Sequence, residues 1–533
     1  MKKILFILMA FLAVSCSKQK LADLNKDVKH PTNVPGSTLF SNAEKNLSDQ
    51  DVSLNVNRNN FDLWSQYLTE TTYTDESNYN IFSRNVPDNA WSVYYRAILE
   101  NLKRADSLIK MEKPAFPSDV AAQKNKLAII DIVACFTWDQ METLWGNIPY
   151  SQALNINNVQ PAYDDALTIH KKLISRVTAD VAALDATNGS FGSADLIYNG
   201  DVAKWKEFGN GLLVKMAIQI ANVTSESALV KSTIQGAMGG AISSAADNAM
   251  FKYLSSSPNT NPLYVDLVMS GRLDYVAANT IINKLASLYD PRLGLYFSHK
   301  IPVYFKPNNA TDTVFTDVPL LVFYNTGTDT LLTPETFANG EKGIVFQQAD
   351  KSLSPSFYLG GNYGHSSAYP NYSHINTAIS HTPTFPHPLM TYSEIQFYLA
   401  EAAARGIIAG DAATYYNNAV TASILFWGGT PAQAAAYLAQ PTVTYDQANW
   451  KELIGTQAWI SFYLRGYLGW TEWRRLRFPK MNEPPTPATG VVTFPFRYPY
   501  PSGEQTLNNA NYTKAANAIG GDKMSTKLYW ENY

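Results

Sequence analysis

The chain has 533 residues, a formal net charge of −3 and only 16% charged residues, against roughly 25% in an average globular protein. This balance excludes a basic footprint for nucleic acid or an anionic surface, and two cysteines cannot build a disulfide framework or a zinc centre. Aromatic residues are abundant instead, with 32 Tyr, 24 Phe and 11 Trp; a flat apolar face with a polar tip suits neutral, wet ligands such as sugar rings or peptides.

The first element is a leader. Lys2 and Lys3 precede a short apolar run from Ile4 to Val14, too short for the ~20 residues that span a bilayer. Ala13-Val14-Ser15-Cys16 resembles a bacterial lipobox, which implies removal of residues 1–15 and a lipid on Cys16. A polar tether follows over residues 16–37, with Pro31 and Pro35. Cys135 lies among Ile132, Val133, Ala134 and Phe136, which predicts a buried, inert thiol.

Helical periodicity then dominates. Asp88 or Asn89 is placed to cap a helix with Trp91, Tyr94, Tyr95, Ile98, Leu102 and Ala105 on one stripe. Residues 118–145 predict a long helix closed by Gly146 and Pro149. Asp164 or Asp165 opens the next, carrying Ala166, Ile169, Leu173, Val177, Val181 and Leu184. Asp201 caps another, with Trp205, Phe208, Leu212, Met216 and Ile220. Residues 250–388 differ: they are rich in Ser, Asn, Thr, Gly, Pro and Tyr, with β-like runs at Val314-Phe315 and from Leu320 to Tyr324. A stretch of this kind inside a compact domain is usually functional. Beyond it a helical hairpin carries Tyr392, Ile395, Leu399, Ala402 and Ala403, ends at Gly406, and restarts at Asp411 with Tyr416, Ala419, Val420, Ser423 and Trp427. A further helix covers about 446–463. Antiparallel pairs of this kind predict a mainly α fold of tetratricopeptide-like helical pairs with long irregular loop insertions. The mature chain, residues 38–533, reads as one domain with 250–388 as its loop-rich insertion.

No HExxH, phosphate loop or GxSxG occurs. His365, His374, His381 and His387 share a segment, but spacings of nine, seven and six residues match no compact ligand motif, so no metal or cofactor is expected. Asp75-Glu76 is an acidic pair inside an aromatic loop. Neighbours in a loop seldom straddle a substrate as a glycosidase dyad must, so both are expected to be solvated charges or hydrogen-bond acceptors.

Three C-terminal segments carry a resemblance: Leu389-Met390-Thr391-Tyr392-Ser393-Glu394 running on through Ala403, Trp470-Thr471-Glu472-Trp473-Arg474-Arg475, and Phe494-Pro495-Phe496-Arg497-Tyr498-Pro499-Tyr500-Pro501. With Asp290-Pro291-Arg292-Leu293 and Gln457-Ala458-Trp459, the chain resembles the SusD/RagB family of nutrient-binding outer-membrane lipoproteins. Ala458, where the family often has Lys, and Phe496, where a basic residue is common, depart from its pattern. The resemblance implies four tetratricopeptide-like pairs and a non-enzymatic surface lipoprotein. Such a protein captures an oligosaccharide or peptide and delivers it to a SusC-like TonB-dependent transporter. The rival readings are a secreted helical-barrel glycan hydrolase or lyase and a protein-binding adaptor.

Recognition is expected on loops positioned by the rigid helices. Two qualify. Residues 73–82 offer Tyr73, Asp75, Asn78, Tyr79 and Phe82, and residues 357–372 offer Tyr358, Tyr363, Tyr369 and Tyr372. Aromatic faces would stack, and amides and a carboxylate would fix hydroxyl or peptide groups.

Overall fold

The computed structural model describes residues 34–298, 356–488, 490 and 494–531, with the backbone of four short strands between 321 and 343. Cys16 and Val314-Phe315 lie outside the described residues.

The fold is mainly helical and is built from successive helices that bury one stripe against the next. α1 is Gly36–Val52. α2 is three continuous stretches, Val86–Ser92, Val93–Leu99 and Glu100–Met111, the middle one wound as a π-helix. α3 is Pro117–Trp145, α4 Ala166–Ala183, α5 Val202–Gln219 and α6 Ser227–Ala237. α7 is Asn279–Ser287. After the strand-rich region come α8 Tyr392–Ala404, α9 Ala412–Phe426, α10 Pro431–Leu438, α11 Trp450–Ser461 and α12 Gly466–Leu476. They pack in pairs: α1 on α2, α3 on α4, α5 on α6, α8 on α9, α11 on α12, with α4 also on α5. One apolar core runs from Phe40 to Trp530, and a second gathers α9, α10 and α11.

The caps follow the sequence. Asp165 accepts from Thr168 N at 2.8 Å, Asp201 from Lys204 N at 3.2 Å, and Asp411 from Ala413 N and Thr414 N at 3.2 and 3.1 Å. Each such bond satisfies an otherwise orphaned donor, a contribution of about 1 kcal/mol. Gly146 ends α3 at φ 83°, where a Cβ would lie 2.8 Å from Leu528 Cδ2. Two expectations change. α2 starts at Val86 after Asn85 rather than at Asp88 or Asn89. Pro87 fits the first turn, where its missing N–H costs nothing, and Asp88 instead accepts from Ser502 Oγ at 2.7 Å. α1 begins inside the expected tether, because Phe40, Ala43 and Leu47 supply a buried stripe within a polar sequence.

Short antiparallel strands tie the loop-rich region to the helices. Leu68–Glu70 pairs with Tyr275–Ala277, and Ala249–Phe251 with His387–Met390. Leu321–Tyr324, where a β-like run was expected, pairs with Thr330–Leu332 and Ser356–Tyr358.

The segments that carry the family resemblance turn out to be tie points. Arg474 donates to Thr143 O at 2.9 Å and Phe496 O at 2.7 Å, Trp470 to Pro495 O at 3.0 Å and Trp473 to Pro479 O at 3.1 Å. Arg497 holds Trp145 O and Asp522. The C-terminal chain is thereby strapped across α3 and α12. Arg292 pairs with Asp290 at 2.6 Å and donates to Gln457 Oε1 at 2.6 Å and Ser423 Oγ at 2.9 Å, all buried. Phe496 lies under the Arg477 guanidinium, 4.4 Å from the ring centroid, and Ala458 is buried.

Candidate ligand cleft

The loop of residues 73–82 leaves the strand Leu68–Glu70 and closes on itself. Asn78 N donates to Thr74 O at 3.1 Å and Asn80 N to Asp75 O at 2.8 Å, with Tyr79 at φ 67° completing the turn. Opposite it lies the proline-dense strap Pro484-Pro485-Thr486-Pro487-Ala488. Between them opens a cleft of about 520 Å³, lined by Thr74, Asp75, Asn78, Asn80, Phe82, Thr486, Pro487 and Ala488.

Asn78 builds this cleft. Its Nδ2 donates to Thr74 O at 2.7 Å and Gly364 O at 2.8 Å, its Oδ1 accepts from Thr486 N and Oγ1 at 3.0 Å each, and its carbonyl accepts from Ala488 N at 2.7 Å. It staples loop to strap and has little left for a ligand. Gly364 sits at φ 76° against Pro484 and Pro485, with 2.7 Å between a would-be Cβ and Pro485 Cδ. Only glycine suits both the angle and the space. The wall facing solvent is the Asp75–Asn80 pair, joined at 2.8 Å. Phe82 stands on the rim with 52% of its surface exposed, and Tyr73 nearby is 73% exposed.

The nine expected contact residues therefore divide. Asp75, Asn78 and Phe82 line the cleft, and Tyr73 flanks it. Tyr79 is 1% exposed, its ring 6.3 Å from both Trp64 and Phe494. Tyr363 is buried beside Tyr79. Tyr358 is buried with its hydroxyl over Gly294, and burial pushes its pKa up to about 12. Tyr369 is half-buried and stacks on His374 at 3.7 Å, and Tyr372 is half-buried. Burial thus moves Tyr79, Tyr358 and Tyr363 from contact to support, because no face of theirs is open to a ligand. The two loops meet through the Asn78 bond to Gly364 O, and the second loop also holds the strand that leads into the first: Ser366 Oγ donates to Thr71 O at 2.6 Å and Gly364 N to Thr69 Oγ1 at 3.3 Å. The second loop backs the first rather than lining the cleft. Thr74 and Asn80 are new members from within the predicted loop. The strap was overlooked, although three prolines in four residues marked a rigid segment.

Glu76 is not a solvated charge. It is fully buried and pairs with Arg84 at 2.6 Å. The histidines have separate surroundings: His365 is exposed, His381 Nδ1 faces Ser380 Oγ at 3.0 Å, and His387 is buried in its strand.

Two other clusters have the residue types of a metal centre. In the first, His170 Nε2 donates to Met216 O at 2.8 Å and Nδ1 faces Glu142 Oε1 at 2.8 Å. Burial opposes the imidazolium, but the Glu142 hydrogen bond and the nearby carboxylates outweigh it and raise the His170 pKa; burial lifts Glu142 to about 7. Lys215 fills the remaining side of Asp139 at 3.0 Å. In the second, Arg176 pairs with Asp131, burial holds the Cys135 thiol well up, and burial with Asp131 pushes Asp180 to about 8. Side chains of the chain itself face both sets of donors, His170 and Lys215 in the first and Arg176 in the second.

No curated protein matches the sequence. Among solved structures the chain is similar to a chitin-binding protein, at 23% identity and TM-score 0.72, covering 93% of this chain and all of that one. It is also similar to a SusD homologue from Bacteroides uniformis (22%, TM-score 0.71, 93% and 98% covered) and to a chitin-binding SusD homologue from Flavobacterium johnsoniae (19%, TM-score 0.70, 93% and 98%). At these identities the likeness is one of fold. A family model, SusD-like, described as starch-binding and associating with the outer membrane, matches residues 28–310 and 343–501. Because that match takes in most of the chain, the protein belongs to the SusD-like family.

Proposed function

We propose that this protein captures a neutral oligosaccharide in the cleft between residues 73–82 and the Pro484–Ala488 strap, at the outer-membrane surface, and passes it to a SusC-like TonB-dependent transporter. The observation that carries the reading is the cleft's composition. Hydroxyl and amide groups line it, the Asp75–Asn80 pair forms one wall and the exposed Phe82 ring stands at the rim. Sugar hydroxyls bond to such a wall while their C–H faces stack on the ring. Among the described residues the lining has no cation, which disfavours anionic ligands. Starch and chitin are the glycans to try first, since the family description names one and structural relatives are described as binding the other.

The hydrolase reading is disfavoured at this place, because Asp75 is the one carboxylate of the lining among the described residues and acid–base glycosidases use two. Membrane attachment falls to a lipid on Cys16.

Calorimetry with malto- and chitooligosaccharides tests the proposal. Phe82→Ala and Asp75→Ala should each lose about 1 to 3 kcal/mol of binding, the range of an interface hot spot, with Tm nearly unchanged. Unaltered affinity in both variants places the ligand elsewhere. Shortened oligosaccharides after incubation with pure protein would establish the hydrolase instead.

A further inference from the structure

The turn between α2 and α3 projects from the helices it joins. Every one of residues 110–120 is exposed, and three of them are large and apolar: Met111 is 65% exposed, Phe116 67% and Val120 42%. A single apolar side chain on a surface needs no explanation, but a group on one projection does. Val120 N donates to Phe116 O at 3.2 Å, and residues four apart on a helix share a face. Asp119 Oδ2 accepts from Ala115 N at 3.3 Å and Phe116 N at 3.1 Å. Gln123 Nε2 donates to Ile109 O at 2.6 Å and Glu112 O at 3.2 Å. These bonds close the turn onto the end of α2, and Pro114 and Pro117 stiffen it. The turn is ordered by its polar groups, while its apolar side chains face outward.

The place where the chain enters the structure says what lies in front of this tip. Gly36 opens α1 against the last turns of α2; a Cβ on it would lie 3.0 Å from Ala105 O and 3.1 Å from Ile109 Cδ1. The start of α1 and the tip are therefore at the same end of the α1–α2 pair. Cys16 lies eighteen residues before Val34, a length of chain that spans at most about 60 Å. A lipid on Cys16 holds the molecule by this end, but a link of that reach does not fix how the body faces the bilayer. A second, weak contact near the point of entry does, because the tether makes it intramolecular and raises its effective concentration. The charges suit a lipid surface too. Lys110, Lys113, Lys124 and Lys126 stand against Glu112 and Asp119 between residues 110 and 126. Lysine stems lie along apolar surface while their ammonium groups reach lipid phosphates.

We propose that the tip of residues 110–120 rests in the headgroup layer of the outer membrane, with Met111, Phe116 and Val120 inserted and the lysines at its edge. The proposal goes beyond the cleft reading and rests, for the tether, on the assignment of a lipid to Cys16. Apolar insertion makes the contact and the lysines add to it, which is why a whole-chain charge of −3 gave no sign of it. The lipid supplies retention, and the tip sets the orientation.

A fluorescent reporter on Ala115→Cys tests this. Ala115 is exposed beside Phe116, Cys135 is buried and the Cys16 thiol is blocked by its lipid. In lipoprotein reconstituted into vesicles of phosphatidylethanolamine and phosphatidylglycerol, the emission should shift to the blue and lose its quenching by aqueous iodide. A reporter on Leu425→Cys, exposed on α9, should stay quenched. Met111→Ser combined with Phe116→Ser should restore quenching at residue 115; both side chains are exposed, so the fold is kept. Equal quenching at 115 and 425 in vesicles overturns the proposal. Shielding at 115 that arises only in native outer membranes also overturns it, because a protein then covers the tip instead of lipid. If mass spectrometry finds no lipid on Cys16, the same protein is mixed with the vesicles instead. Flotation that falls by at least about tenfold on the double substitution, the worth of burying one such side chain, upholds the tip without the lipid. Absence of flotation overturns it, so the two assignments fail separately.

Discussion

Phe82 and Tyr79 lie three residues apart in the same loop, and their surroundings give them opposite tasks. Phe82 exposes half its ring at the cleft, whereas Tyr79 is closed in by Trp64, Phe494 and Tyr363. Truncating a buried ring removes its transfer energy and leaves a cavity, so Tyr79→Ala should lose about 3 to 5 kcal/mol of stability in denaturant unfolding. Phe82→Ala should stay within about 0.5 kcal/mol of the wild type. A stable Tyr79→Ala protein would mean that the ring is not part of the core. The sequence marked this loop as aromatic and polar, which was enough to locate a cleft wall. It could not separate the two rings, because an irregular loop has no period to assign a residue to one face. The same blindness hid Glu76. A carboxylate next to Asp75 reads as solvated, and only Arg84, paired with it at 2.6 Å, accounts for its burial.

At the scale of elements, legibility tracked local chemistry. α3, α4, α5, α8 and α9 were visible because caps at Asp165, Asp201 and Asp411 and breaks at Gly146 and Gly406 lie within a turn of the helices they bound. α12 was noticed for its resemblance, not for a stripe, and its reason is long-range. All eleven of its residues are buried. Arg475 donates to Glu401 of α8 and to Glu472, and Arg405 donates to Glu401 at 2.7 Å. No spacing rule predicts a bond between residues more than seventy apart. Removing one partner of a buried ion pair leaves the other charge uncompensated, at a cost of about 3 to 5 kcal/mol. Arg475→Met should therefore destabilise by that amount in equilibrium unfolding, with Glu401 and Glu472 left facing each other. Replacing all three by apolar residues of similar volume should recover much of the loss. A neutral single variant would show that this network does not join α12 to α8.

For the whole molecule, the arrangement asks how a helical body stays at a membrane. Among the described residues no helix is long and apolar enough to cross one. The proposed attachment is Cys16, behind the short apolar run of residues 4–14. A diacylglyceryl group on its thiol would bring two acyl chains, and each buried methylene contributes about 0.8 kcal/mol. Two chains suffice for stable anchoring, where one gives marginal, reversible binding. Docking on a transporter would also retain the protein at the membrane, so simple fractionation does not separate the two. A carbonate wash does, since it strips proteins held by other proteins and leaves those held by lipid. Wild-type protein should stay with washed membranes and incorporate labelled fatty acid. Cys16→Ala should lose the label and move to the supernatant after the wash, while its helical content and its affinity for oligosaccharide are unchanged, because the cleft is built entirely from residues beyond 60. A Cys16→Ala protein that resists the wash would show that something other than this lipid fixes the chain to the membrane.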